Sequence, residues 1–256
     1  MPELLEIELY RRAAEQVVGR KIVDVPIADT RFVRHSPDLA MALRGALVLG
    51  VRRHGKVLLL DTDGPTLGLR FGMTGMLRVD GIGPIERLAY GPASDSERYG
   101  RLCLLLDDGG RLAVSDARRF GSAELDPDLS KLGPDAATIT RSQLARALRG
   151  TTAVKAALLD QERVAGLGNM LVDEILLRAR IDPARPTGSL TPREVGAVQR
   201  SIAVVLPELL AAGGSHAGRL SAGRRHAGAT CPLDGAQLER RRIGGRTTYS
   251  CPRHQR

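Results

Sequence analysis

Leu158-Leu159-Asp160-Gln161-Glu162-Arg163-Val164-Ala165-Gly166-Leu167-Gly168-Asn169-Met170 sets the architecture of the second half of the chain. Gly166 and Gly168 permit a tight turn, and Asn169 reads as the N-cap of a following helix. A helix start preceded by glycines exposes backbone N–H groups that can hold a phosphate, although any helix–turn–helix also needs a turn. Outward from this point apolar residues keep a helical period: Arg141 to Leu148 and Val154 to Leu159 on one side, Met170 to Arg180 and Pro192 to Ala212 on the other.

Upstream, Asp126 to Asp135 holds two prolines and a glycine and reads as a linker. Before it, from Ile22 to about Leu125, the signals are those of short strands. Ala46 to Val51 and Val57 to Asp61 flank the turn Arg53-His54-Gly55; Leu102 to Leu106 and Arg111 to Ser115 flank Asp107-Asp108-Gly109-Gly110. Hairpins of this kind indicate an antiparallel sandwich. Glu3 to Val18, ending at Gly19, has helical spacing with acids in its first turn. The expected fold class is therefore α+β. Residues 1–125 form an N-terminal helix and β-sandwich, 126–135 a linker, 136–212 a helical domain and 213–256 a loop and hairpin.

Composition limits the function. With 43% apolar and 26% charged residues the 256-residue chain is neither disordered nor fibrous. The first twelve residues hold three glutamates and no apolar h-region, and no stretch approaches eighteen apolar residues, so neither a secretory signal nor a membrane partner is expected. Three cysteines cannot make a paired framework, which favours a reducing cytoplasm or a metal site. Of the net charge of +9, +7 resides in Gly213 to Arg256, where nine arginines face two acids. An arginine-rich segment suits phosphate, which makes nucleic acid the leading partner and a solvated tail the bland alternative.

Two constellations bear chemistry. Cys231-Pro232-Leu233-Asp234 and Cys251-Pro252-Arg253-His254 are paired knuckles with sixteen residues between them. Their two thiolates, carboxylate and imidazole are ligands that zinc accepts, and a bound ion could fold a segment short of apolar area. At the other end, removal of Met1 would leave Pro2 as a free secondary amine with a pKa near ~8, able to attack an aldehyde-like carbon. Glu3 and Glu6 lie beside it as proton donor and shuttle. The alternative is structural: Pro2 as the first helical residue and the acids as partners of the helix dipole.

Taken together these segments resemble the formamidopyrimidine-DNA glycosylase/endonuclease VIII family. Met1-Pro2-Glu3-Leu4-Leu5-Glu6 is similar to its N-terminus, Val154-Lys155 through Glu174-Ile175 to its helix–two-turn–helix, and Gly245 to Cys251 to its zinc-finger hairpin. Asp116 to Gly121 and Gly72-Met73-Thr74-Gly75 resemble two further motifs of the strand domain. The resemblance implies a monomeric base-excision repair enzyme acting on damaged double-stranded DNA held in a cleft between two domains. Pro2 would form a Schiff base with the sugar, Glu3 would protonate the opening ring, and Glu6 would support proton transfer. Lys56 would bind phosphate and serve β-elimination, and Arg246 would grip phosphate and assist δ-elimination. Met73, Arg118 and Phe120 would fill the void left by a flipped nucleotide. Asn169 and Lys155, with Arg119 and Arg149, would bind backbone phosphate, and Cys231, Asp234, Cys251 and His254 would hold one zinc ion.

Four departures from the family pattern stand out: Leu5 in place of proline, Asp234 and His254 in place of two cysteines, Arg70-Phe71 in place of His-Leu, and a short segment, Ser215 to Thr230, where a loop capping oxidised purines is usual. The substrate could then be an oxidised pyrimidine, an abasic site or a bulkier adduct. Two readings from other classes remain at this stage. One is a non-catalytic lesion-binding protein of the same fold; the other is an RNA- or ribosome-associated zinc-ribbon protein.

Overall fold

A computed structural model describes residues 2–86, 88 and 97–256. The chain divides into two compact units, Met1–Leu129 and Ser130–Arg256.

Helix α1 (Leu4–Ala14) opens the first unit and continues as a 3-10 turn, Glu15–Val17, that stops at Gly19. Gly19 has a φ of +82°, which favours glycine over residues bearing a Cβ. Two four-stranded antiparallel sheets follow. One has the order β1 (Ile22–Ala28), β6 (Gly100–Leu106), β7 (Arg111–Asp116), β5 (Gly75–Val79). The other runs β2 (Val48–His54), β3 (Val57–Thr62), β4 (Leu67–Arg70), β8 (Ser122–Leu125). Helix α2 (Leu39–Leu43) packs beside β1. Leu58, Leu60, Leu67 and Leu69 from one sheet and Leu77, Leu102, Leu104, Leu112 and Val114 from the other share a single buried core, the mark of a sandwich. Helix α1 adds Ile7, Tyr10 and Ala14 to that core. Tyr10 packs its ring 4.6 Å from that of Phe71 and donates its hydroxyl to the Gly75 carbonyl at 3.0 Å. The N-terminus is thereby fastened to the loop that carries Met73.

In the second unit, α3 (Arg141–Ala147) and α6 (Pro192–Ala211) each begin with a reciprocal capping box, Thr140 with Gln143 and Thr191 with Glu194. Helices α4 (Val154–Leu159) and α5 (Asn169–Ala179) are joined by the glycine-bearing turn. Gln161 staples that turn: its amide donates to the carbonyls of Leu159 and Leu167 and accepts from the Gly166 amide. The expected N-cap is one residue out of place. Gly168, in extended backbone, is the N-cap, and Asn169 is the first helical residue with its side chain turned elsewhere.

The last strands, β9 (Glu239–Ile243) and β10 (Arg246–Ser250), form a hairpin around Gly244 and Gly245. Both glycines have positive φ, as a two-residue hairpin turn of this hand requires. Beneath the hairpin lies a small core of Leu220, Ala229, Cys231, Leu238, Tyr249 and Cys251, closed by Leu177 of α5. Among the described residues no single helix is long and apolar enough to cross a membrane.

Candidate active site, nucleic-acid interface and metal centre

Pro2 is buried and lies one residue before the N-cap, so it is not the first residue of α1. Glu3 is the N-cap and Glu6 the third helical residue. The Glu6 carboxylate accepts from the Glu3 amide at 2.7 Å, and the Glu3 side chain accepts from the Glu6 amide. Both acids are buried, 2% and 3% exposed. Acids in the first turn commonly sit in water, whereas both of these are buried beside a buried Pro2. The structure thus puts Glu3 at the N-cap and Glu6 in the first turn of α1, directly after Pro2 in the chain.

Lys56 occupies the two-residue turn Gly55-Lys56 between β2 and β3. Arg53 in the same hairpin donates to the Gly55 carbonyl at 3.0 Å and lies 3.5 Å from Glu8 of α1, tying the turn to the helix that carries Glu3 and Glu6. Burial alone would raise the Glu8 carboxyl, but Arg11, Arg12 and Arg53 hold it below the usual carboxylate range.

The structure brings Met73, Arg118 and Phe120 together. The Arg118 guanidinium lies 4.7 Å from the centroid of the Phe120 ring, and its Nη1 is 3.5 Å from the Met73 sulfur. Phe120 is 52% exposed, unusual for an aromatic in a chain with only seven. Two loops dovetail to present this cluster. Gly72, with φ +55°, approaches so closely that a Cβ there would come within 2.4 Å of the Phe120 carbonyl carbon. Asp116 organises the second loop from inside: fully buried, it accepts from the amides of Arg118 and Gly121 and from the Thr74 hydroxyl. Arg119, with φ +53°, is tied to Asp29 at 2.9 Å, so one edge of its guanidinium has an internal task beside the phosphate contact expected of it. Burial would raise Asp29, but the Arg31 amide, Arg119 and Arg101 hold it low.

In the second unit the expectation for Lys155 is overturned. Its side chain is fully buried and its Nζ lies 2.6 Å from Asp173, itself fully buried, so it cannot reach a DNA phosphate. An ammonium in the interior needs a partner, and an acid on α5 supplies it. The Asn169 amide donates to the Thr247 carbonyl at 3.1 Å, next to the exposed Arg246 at the start of β10. Asn169 and Arg246 are therefore neighbours in the fold. Arg149 lies exposed beyond α3, its carbonyl accepting from Arg163.

Cys231, Asp234, Cys251 and His254 converge: their ligand atoms all lie within 4.8 Å of one another. Asp234 is 3.3 Å from the Cys251 sulfur and 3.1 Å from His254 Nδ1, which is 3.7 Å from the Cys231 sulfur. Tetrahedral ligands at metal bonds of roughly 2.0–2.3 Å stand roughly 3.5 Å apart, so the four residues fit one ion. Burial pushes the Cys231 thiol up to about 11, and the Ala236 amide with His254 holds Asp234 well below the carboxylate range. A bound cation would reverse the first of these by displacing the thiol proton.

Asp116, Gln161, Asp173 and Arg225 are the positions that sequence reading left without a role. Asp116 had a local signal, since an aspartate two residues before a loop amide commonly accepts from it. The others act across 18 residues or more, or through the tip of a long side chain, and leave no spacing rule to follow.

Two family models match the chain: the formamidopyrimidine-DNA glycosylase N-terminal domain over residues 1–123 and the formamidopyrimidine-DNA glycosylase H2TH domain over residues 132–219. The formamidopyrimidine-DNA glycosylase of Paracoccus denitrificans is 37% identical over 284 residues, spanning 98% of this chain and 99% of that protein. Two solved structures of the Lactococcus lactis protein, one with DNA containing an abasic site and one with DNA containing FAPY-dG, superpose with TM-scores of 0.83 and 0.84. Their identities are 27% and 28%, over 100% and 99% of this chain and all of theirs. The chain belongs to the formamidopyrimidine-DNA glycosylase family.

Proposed function

We propose that this chain is a base-excision repair DNA glycosylase with lyase activity, acting on damaged double-stranded DNA through Pro2. The observation that carries the reading is the start of α1: a buried Pro2 ahead of a buried, reciprocally locked Glu3–Glu6 pair, in a chain of this family.

With Met1 removed, the Pro2 nitrogen attacks C1′ of a flipped nucleotide. The C1′–N bond to the base breaks, and the base leaves with the electron pair and a proton. As the sugar ring opens, its oxygen takes a proton from Glu3, with Glu6 as the neighbouring relay, and an iminium links Pro2 to C1′. The fixed positive charge lowers the cost of removing a proton at C2′, which expels the 3′ phosphate; a second elimination expels the 5′ phosphate. Lys56 serves the first elimination, and Arg246 the second, by holding phosphate with charge-assisted hydrogen bonds. Met73, Arg118 and Phe120 occupy the space the nucleotide leaves and offset part of the unstacking cost, a few kcal/mol. Cys231, Asp234, Cys251 and His254 would hold one zinc ion, whose part is to brace the hairpin that carries Arg246.

Borohydride trapping on duplexes with an abasic site, an oxidised pyrimidine or an oxidised purine tests the mechanism and ranks substrates. A covalent adduct that is lost in Pro2→Gly and reduced in Glu3→Gln is expected. No adduct on abasic DNA, or one undiminished by both substitutions, removes the proline mechanism and returns the chain to the class of lesion-binding proteins.

A further inference from the structure

The buried Lys155–Asp173 pair has a third member from an unexpected source, the short segment between α6 and the hairpin. Arg225 Nη2 donates to the second carboxylate oxygen of Asp173 at 2.6 Å and to the Thr247 carbonyl at 3.1 Å. Its guanidinium lies 5.0 Å from the centroid of the Tyr249 ring, and the Tyr249 hydroxyl donates back to the Arg225 carbonyl at 2.8 Å. The Tyr249 amide also points at Asp173, at 3.4 Å. Arg225 thus grips β10 at residues 247 and 249 while neutralising an acid of α5. Its side chain is only 10% exposed.

What this grip controls is the root of Arg246. Arg246 follows two glycines of positive φ and opens β10 opposite Ile243, its carbonyl accepting from the Thr248 hydroxyl. One residue further along β10 the strand is held from outside: the Thr247 carbonyl accepts from Lys155, Asn169 and Arg225 together. Of these, Arg225 alone comes from the segment between α6 and the hairpin.

We propose that Arg225 is a positioning residue for Arg246, fixing through the Thr247 carbonyl and Asp173 the strand β10 from whose first residue, Arg246, the DNA phosphate is met. The inference rests on the proposed phosphate role of Arg246. Lysine cannot replace it fully, since an ammonium lacks the planar face set against Tyr249.

A double-mutant cycle on the full-length protein tests this, with Arg225→Gln, Arg246→Gln and both together. The readouts are Kd for a duplex bearing a tetrahydrofuran abasic analogue and the ratio of β- to δ-elimination products on a natural abasic duplex. Arg225→Gln is expected to weaken binding roughly threefold to tenfold, within the range for residues in one network, and to shift products toward β-elimination. It is expected to add nothing once Arg246 is already glutamine. Arg225→Lys should fall between wild type and Arg225→Gln, and it keeps the charge beside Asp173 should the glutamine variant fail to fold. Equal losses in both backgrounds, or an Arg225→Lys protein indistinguishable from wild type in both readouts, overturn the proposal while leaving Arg246 in its role. An Arg246→Gln protein unchanged in both readouts removes the role itself and the proposal with it.

Discussion

Lys155 carries its charge inside the protein, and that single fact reassigns a helix start. A lysine one residue into α4 reads from sequence as a surface cation near DNA; its partner is 18 residues downstream and the arginine that completes the group is 70 away. No spacing rule links such residues, whereas Met73, Arg118 and Phe120 were legible because two short motifs carry them. The buried pair makes a sharp stability prediction. Asp173→Ala, which strands the Lys155 ammonium and the Arg225 guanidinium in the interior, should cost about 3–5 kcal/mol in urea unfolding, while Lys155→Met with Asp173→Leu still leaves Arg225 without its acid and should recover only part of that loss. Phe120 belongs to the opposite case, a residue whose removal spares the fold. Phe120→Ala should leave the urea midpoint in place and weaken binding to a duplex with an abasic analogue by about 1–3 kcal/mol, with a smaller effect on undamaged duplex.

Among the elements, the helices of the second unit were readable to within a residue or two, because capping boxes and glycine stops mark their ends in the sequence. The sandwich was readable as a class but not in its pairing. That β1 lies beside β6, and β4 beside β8, depends on which apolar faces meet across the core, and periodicity does not contain this. Helix α6 offers a test of what its N-terminus contributes. Arg185 and the Thr191 amide hold the Glu194 carboxyl down to about 2, against 4.5 for a free glutamate. A folded-state value below the unfolded one gives stability that is complete above about pH 4.5 and is lost as pH falls toward 2. Thermal midpoints measured between pH 5 and pH 3 should therefore drop, and Glu194→Gln should be less stable at neutral pH and less sensitive over that interval.

At the scale of the whole molecule, the basic excess near the C-terminus has two uses. Arg225 and Arg241 are spent internally on Asp173 and Asp182, while Arg219, Arg224, Arg240, Arg242, Arg246, Arg253 and Arg256 are exposed. Total charge therefore overstates what is offered to DNA. Arg246→Gln should reduce the slope of log affinity against log salt by about 0.9, as expected for one lost phosphate contact. Arg241→Gln removes the same formal charge and should leave the slope unchanged while lowering the thermal midpoint. The metal cluster should act on the same segment: a chelator is expected to lower the melting temperature and weaken DNA binding together, and Asp234→Ala to reduce the zinc retained per chain by elemental analysis. A chain that carries no metal as purified and is indifferent to chelation would leave the four ligands as a hydrogen-bonded knot.

The half-exposed ring of Phe120 also has an optical consequence. The chain contains no tryptophan, so Phe120→Trp would introduce its sole indole at the edge proposed to enter the base stack. Its emission would be quenched when the ring seats between bases and restored when it withdraws. The lifetime of such a wedge in DNA could then be timed separately from the covalent chemistry proposed at Pro2.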